Sequence, residues 1–168
     1  MTMRRAAWWL LVSALTVGTL AAVSVGGWQL VIKAHRLPPV ADQLAARQDA
    51  TRAASAGTVK LMTYSPDTLD QDFASASELL TGEFREYYQK FTSQTVKPTA
   101  QQKRVKSAAT VQRAGVQSLT RDAAVVLVFV KRTTTTADQP SPTEVPNAVR
   151  VGLAKVHGTW LINRFDPV

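Results

Sequence analysis

The chain has no cysteine, so it has no disulfide framework, no thiolate nucleophile and no cysteine-based metal site. Histidine is almost as scarce, with two in 168 residues. His35 lies between Lys33 and Arg36, and His157 precedes Gly158; neither has a second ligand at metal spacing. A third absence is local. Residues 6–32 contain no Asp, Glu, Lys, Arg or His. As a helix, this run of ~27 residues is about 40 Å long, against about 30 Å of bilayer hydrocarbon. No later run is long and apolar enough to span again.

The flanks of that run agree with a membrane span. Arg4 and Arg5 precede it, and Lys33 and Arg36 follow. Trp8, Trp9 and Trp28 fall near its ends, where indole rings prefer the headgroup level. A cleaved signal peptide has an apolar core of only ~7–15 residues, which this run nearly doubles. A buried core helix would not carry charge and tryptophan at both ends. The sequence therefore predicts a tail at 1–5, an anchor at 6–32, a juxtamembrane linker with a first helix at 33–62, and a domain at 63–168. The count of basic residues places the short tail in the cytoplasm by a narrow margin and exports the domain. Within the anchor, Ala14, Gly18, Ala22 and Gly26 recur every four residues on one face, a spacing that lets another membrane helix approach closely.

The net charge is +8, from 20 Lys and Arg against 12 Asp and Glu. Without Arg4, Arg5, Lys33 and Arg36 the balance is 16 to 12, so half of the excess belongs to the anchor flanks. The high isoelectric point is thus a topology signal, and no nucleic-acid recognition motif accompanies it. Lys97, Lys103, Arg104, Lys106 and Arg113 form a loose basic cluster suited to anionic headgroups or an acidic partner, or to a solvated helix end.

Pro38 and Pro39 close the anchor helix. Residues 40–62 predict an Ala-rich helix with Val40, Leu44, Val59 and Met62 on its apolar stripe. Ser65-Pro66-Asp67 is a helix-start signal, and Thr68 with Gln71 has capping-box spacing. The short helix that follows turns Leu69, Phe73, Ala76 and Leu80 inward and ends at Gly82. Residues 83–96 predict the most amphipathic helix, with Phe84, Tyr87, Tyr88, Phe91 and Thr95 on its core face; Pro98 disfavours its continuation, with the polar stretch to Arg104 able to extend as a frayed turn. From residue 106 the period changes to two. Strands are expected at 111–116, 123–135, 148–156 and 159–165, with a Pro-rich loop at 137–146 and a two-residue turn at His157-Gly158. Three helices packed on an antiparallel sheet make an α+β domain.

The order and spacing of four segments are informative: Thr63-Tyr64-Ser65-Pro66-Asp67-Thr68-Leu69-Asp70, Leu80-Thr81-Gly82-Glu83-Phe84-Arg85-Glu86-Tyr87, Ala123-Ala124-Val125-Val126-Leu127-Val128-Phe129-Val130, and Gly158-Thr159-Trp160-Leu161 with the ending Asp166-Pro167-Val168. Together they resemble the Mce-associated membrane proteins of mycobacteria and related actinomycetes. The resemblance implies a nuclear-transport-factor-like (cystatin-like) domain with a curved antiparallel sheet. It implies a single-pass location in the inner membrane with the domain outside the cytoplasm. It also implies a non-enzymatic accessory role in an Mce-type lipid or sterol importer, with transporter subunits or a sister Mce-associated protein as partners. The family has no established catalytic residues to carry over.

The same fold class hosts small isomerases and cyclases, which need a carboxylate or His base in an apolar pocket and a Tyr or acid to hold an oxyanion. The candidates are Tyr64, Asp67, Asp70, Asp72, Tyr87 and Tyr88. Asp67 and Asp70 read better as acids at a helix N-terminus, and Tyr87 and Tyr88 as core. The expectation is therefore no catalytic, cofactor or metal site. An apolar cavity facing the sheet would favour a tethered lipid- or sterol-binding domain instead, and a buried acid facing it would favour an enzyme.

Overall fold

The computed structural model describes residues 43–168, so the anchor, its flanking Arg4, Arg5, Trp8, Trp9, Trp28, Lys33 and Arg36, and the stripe at Ala14, Gly18, Ala22 and Gly26 lie outside the described residues. Helix α1 (Leu44–Met62) buries Ala50, Ala54, Gly57 and Thr58, while Leu44 is 71% exposed and Val59 and Met62 are half-buried. The inward stripe is therefore made of small residues and not of the larger ones expected; Val40 lies outside the described residues. The reason is proximity. A Cβ on Gly57 would run into the Ile162 side chain, so the helix backbone lies directly against the sheet.

Past α1 the backbone is stitched to the first strand. Tyr64 and Ser107 exchange N–H···O bonds of 2.9 Å each way, and the Ser107 hydroxyl donates to the Met62 carbonyl at 2.8 Å. Helix α2 (Leu69–Ser77) then turns Leu69, Phe73, Ala76 and the following Leu80 inward as predicted. Its start is not the expected capping box. Asp72 accepts from the Thr68 hydroxyl at 2.6 Å and the Ser65 N–H at 3.1 Å, so an acid in the first turn holds the loop.

Helix α3 (Gly82–Phe91) runs into a π-helical turn (Thr92–Val96) and then α4 (Lys97–Gln102). The helix continues past Pro98 as a regular turn, more ordered than the frayed extension expected there. Proline has no N–H and its ring crowds the carbonyl four residues back; the widened turn just before it, closed by Lys97 N–H to Thr92 O, relieves that crowding. The core face of α3 is also narrower than expected. Tyr88 is buried and Phe84 half-buried, but Tyr87 is 61% exposed, Phe91 43% exposed, and Thr95 is exposed. Thr92 is buried in their place.

The sheet has order β1-β2-β3-β4 and is antiparallel throughout: β1 (Lys106–Leu119), β2 (Ala123–Thr135), β3 (Thr143–Val156) and β4 (Thr159–Pro167). Register shifts at Val111/Arg113, Val116/Ser118 and Gly152/Leu153 bend it around the helices. Ala124, Val126, Val128 and Val130 of β2 face the helices, opposite Leu153, Val151, Val149 and Asn147 of β3. β3 starts before the expected loop ends and contains Pro146. Pro146 pairs with Lys131, but β4 joins β3 only from Val149 onward, so the missing N–H falls where β3 has a single neighbour. The His157-Gly158 turn has both residues at positive φ, 49° and 84°, which suits a tight hairpin and favours Gly at the second position.

Candidate functional site

All three tyrosines and every phenylalanine except Phe129 form one connected aromatic cluster. Tyr64, in the segment after α1, lies 5.5 Å from Phe73 of α2, and Phe73 meets Tyr88 of α3 edge-on at 6.3 Å. Phe84 stacks on Phe165 of β4 at 6.4 Å and neighbours both Tyr87 and Tyr88. Tyr87 stacks on Phe91 at 5.8 Å. The helical spacing of 84, 87, 88 and 91 puts these four rings on one side of α3, and β4 brings Phe165 to meet them.

These rings line a half-open pocket of about 260 Å³, together with Leu61 and Met62 of α1, Val96 of the π-helical turn, Ser107 of β1 and Arg132 of β2. Arg132 has the parity of Val126, Val128 and Val130, so it extends the core-facing side of β2 with a charge. It makes no ion pair or hydrogen bond among the described residues. The Tyr88 hydroxyl is buried with no hydrogen-bond partner among them, although Tyr88 as a whole is only 7% exposed. Burial, with added repulsion from Tyr64 and Asp72, pushes the Tyr88 phenol well above its ordinary value. Burial also raises Tyr64, and the Arg132 guanidinium partly offsets this. Both phenols therefore stay protonated as hydrogen-bond donors at neutral pH.

The other candidates go elsewhere. Asp67 pairs with Arg104 at 2.9 Å and Asp70 with Lys97 at 2.6 Å, both at the surface. These pairs tie the start of α2 to α4 and its following turn, and they neutralise two members of the expected basic cluster. Asp72 serves the α2 start. No carboxylate or histidine lines the pocket, and no metal-ligating cluster occurs among the described residues. Of the six candidates, Tyr64, Tyr87 and Tyr88 converge on the pocket, and the three aspartates do not. Phe165 and above all Arg132 escape sequence reasoning, although the β2 alternation places Arg132 on the inward face; Phe73 is foreseen as inward but not as part of a pocket.

The bent antiparallel sheet wrapped on helices has solved neighbours of known fold, one of them nuclear-transport-factor-2-like. The domain is similar to the periplasmic domain of DotI, with a TM-score of 0.61 and 14% identity over 76% of this chain and 96% of that one. It is similar to an IcmL-like type IV secretion system protein from Legionella pneumophila, with a TM-score of 0.58 and 10% identity over 73% and 93%. It is also similar to a nuclear transport factor 2-like superfamily protein from Salmonella enterica, with a TM-score of 0.50 and 11% identity over 72% and 91%. At these identities the likeness concerns fold alone.

Residues 10–164 match the family described as "Uncharacterized protein Rv1363c/MT1408-like", and the chain belongs to that family. It is 51% identical over 142 residues to "Uncharacterized protein Rv1362c" of Mycobacterium tuberculosis, a match that covers 84% of this chain and 64% of that protein's own length. It is 43% identical over 129 residues to "Outer membrane protein Rv1973" of the same organism, covering 77% and 80%.

Proposed function

We propose that the chain is a membrane-anchored, non-enzymatic accessory protein that helps to assemble or stabilise a lipid import complex of the Mce type. In this reading the anchor at residues 6–32 crosses the inner membrane once, with its N-terminus in the cytoplasm, and the domain works outside. Its partners are transporter subunits or a sister protein of the same kind. The observation that carries the reading is the exposed, mutually stacked pair Tyr87 and Phe91. Large aromatics left open on a small domain, beside half-buried Phe84 and Phe165, are the composition of a protein-docking surface. Two further points support it. The relatives are mycobacterial, and one solved neighbour of the fold is a type IV secretion system protein. An isomerase or cyclase would need an acid or histidine at the pocket, and the pocket's walls carry neither.

The test is complementation of a deletion strain while following partner abundance. A subunit without its partner exposes apolar surface and is cleared by proteases, so loss of this chain lowers partner levels if the reading holds. Normal partner levels with uptake abolished would contradict it. The pocket favours a second reading, in which the tethered domain also holds part of a lipid.

A further inference from the structure

The pocket carries more than a docking face requires. Three of its polar side chains make no hydrogen bond or ion pair among the described residues. They are Arg132, Tyr88 and Tyr64, the tyrosines through their hydroxyls. All three line the same pocket. Arg132 sits at the mouth of the aromatic cavity with its side chain exposed and no carboxylate paired to it, so its guanidinium is free to meet an incoming anion. The Tyr88 hydroxyl, on a residue only 7% exposed, is buried without a partner, which costs the desolvation of a polar group.

We propose that this pocket binds the head and first methylenes of a long-chain carboxylate. The carboxylate accepts from Arg132 and from the tyrosine hydroxyls, and the chain lies against Phe73, Phe84 and Phe91. Charge selects the class. The walls offer donors and a positive charge, and the one carboxylate acting on them, Asp72 behind Tyr88, is outside the lining and engaged by the Thr68 hydroxyl and the Ser65 N–H, so an anionic acceptor fits on the Arg132 side and a cationic or purely donating head does not. Size selects the shape. At about 260 Å³ the cavity falls just below the usual ~300–1,000 Å³ of sites that engulf a whole drug-sized ligand. It accommodates the end of one chain, with the remainder leaving past exposed Tyr87 and Phe91. The site rests on the second reading above and gives it a ligand class, and it fails separately from the docking reading because partner abundance and ligand occupancy are separate readouts.

The experiment uses the full chain reconstituted in phosphatidylcholine vesicles. The probe is hexadecanoic acid carrying a diazirine near its carboxyl end; the matching alcohol is the neutral control, and adducts are mapped by peptide mass spectrometry. The carboxylate probe is expected to label the wall segments around Tyr64, Tyr88 and Phe91. Arg132→Gln, at an exposed side chain with no partner to lose, should cut that labelling about tenfold. Tyr88→Phe keeps the ring and should cut it by roughly two- to fivefold. The alcohol should label the wild type about as weakly as the acid labels Arg132→Gln. Adducts confined to residues 6–32 would overturn the proposal. So would equal labelling by acid and alcohol that ignores Arg132→Gln, which would mark an apolar cleft with no head-group site.

Discussion

Tyr87 and Phe91 lie one helical turn apart on α3 and stack with their ring planes only 6° from parallel, yet both remain exposed. Each ring holds the other in place before any partner arrives, so less side-chain freedom is lost on docking. The same relationship separates binding from stability. Phe91→Ala should cost roughly 1–2 kcal/mol, because much of the ring is already in water. Leu153→Ala, at a side chain 1% exposed, should cost roughly 2–5 kcal/mol. Urea denaturation midpoints of the two variants check this, and equal losses would mean that the Phe91 ring is part of the core.

Gly57 should not tolerate a side chain. The Cβ of Gly57→Ala would meet Ile162, itself 1% exposed among Ala50, Ala54 and Leu80. Overpacking of this kind costs about 1–3 kcal/mol. Ala56→Ser, at an exposed position on the same helix, should be nearly neutral. Thermal midpoints distinguish them, and a neutral Gly57→Ala would show that α1 can move off the sheet.

Stability should fall at alkaline pH. The Tyr64 and Tyr88 phenols are both raised above 10.0 in the folded chain by burial. Above pH 10 the unfolded chain therefore releases protons that the folded chain retains, and unfolding gains in proportion. The contribution is complete below pH 10 and declines as pH climbs beyond it. Tyr88→Phe should flatten that decline in a series of melting curves from pH 8 to 11. An unchanged slope would mean that Tyr88 reaches solvent.

Much of the fold is legible in the sequence because β-structure here follows period two closely. The boundaries of β2, the His157-Gly158 turn and the inward face of α2 are all readable from it. The departures have physical reasons. Periodicity directs attention to large residues on α1, but close contact with the sheet selects Ala50, Ala54 and Gly57. Pro98 disfavours continuation of a uniform α-helix, and the π-helical turn before it accommodates the proline. Tyr87 and Phe91 fit a core-facing period, yet only long-range placement of β4 decides which side of α3 is covered. The site is half legible for the same reason: its tyrosines stand out in the sequence, whereas Arg132 and Phe165 reach it only through strand register.

Topology can be checked separately. Residues 6–32 lie outside the described part of the structure, and no helix among the described residues is long and apolar enough to cross a membrane. A reporter active only after export, fused behind Val168, should be active; a working cytoplasmic reporter at the same position would reverse the orientation. Within the anchor, Gly18→Leu or Ala22→Leu should weaken recovery of partners by forcing helices apart, while Leu20→Ile should be silent.

The proposed role depends above all on the exposed aromatic face docking a partner within an envelope complex. Complementation of a deletion strain with Tyr87→Lys and Phe91→Lys reads this out, by quantifying the variant chain, its importer partners in native membranes and lipid uptake. The expected result is a normal level of the variant chain, several-fold lower partner abundance, and uptake lowered in step. Unchanged partner abundance with both lysines in place would contradict the docking role.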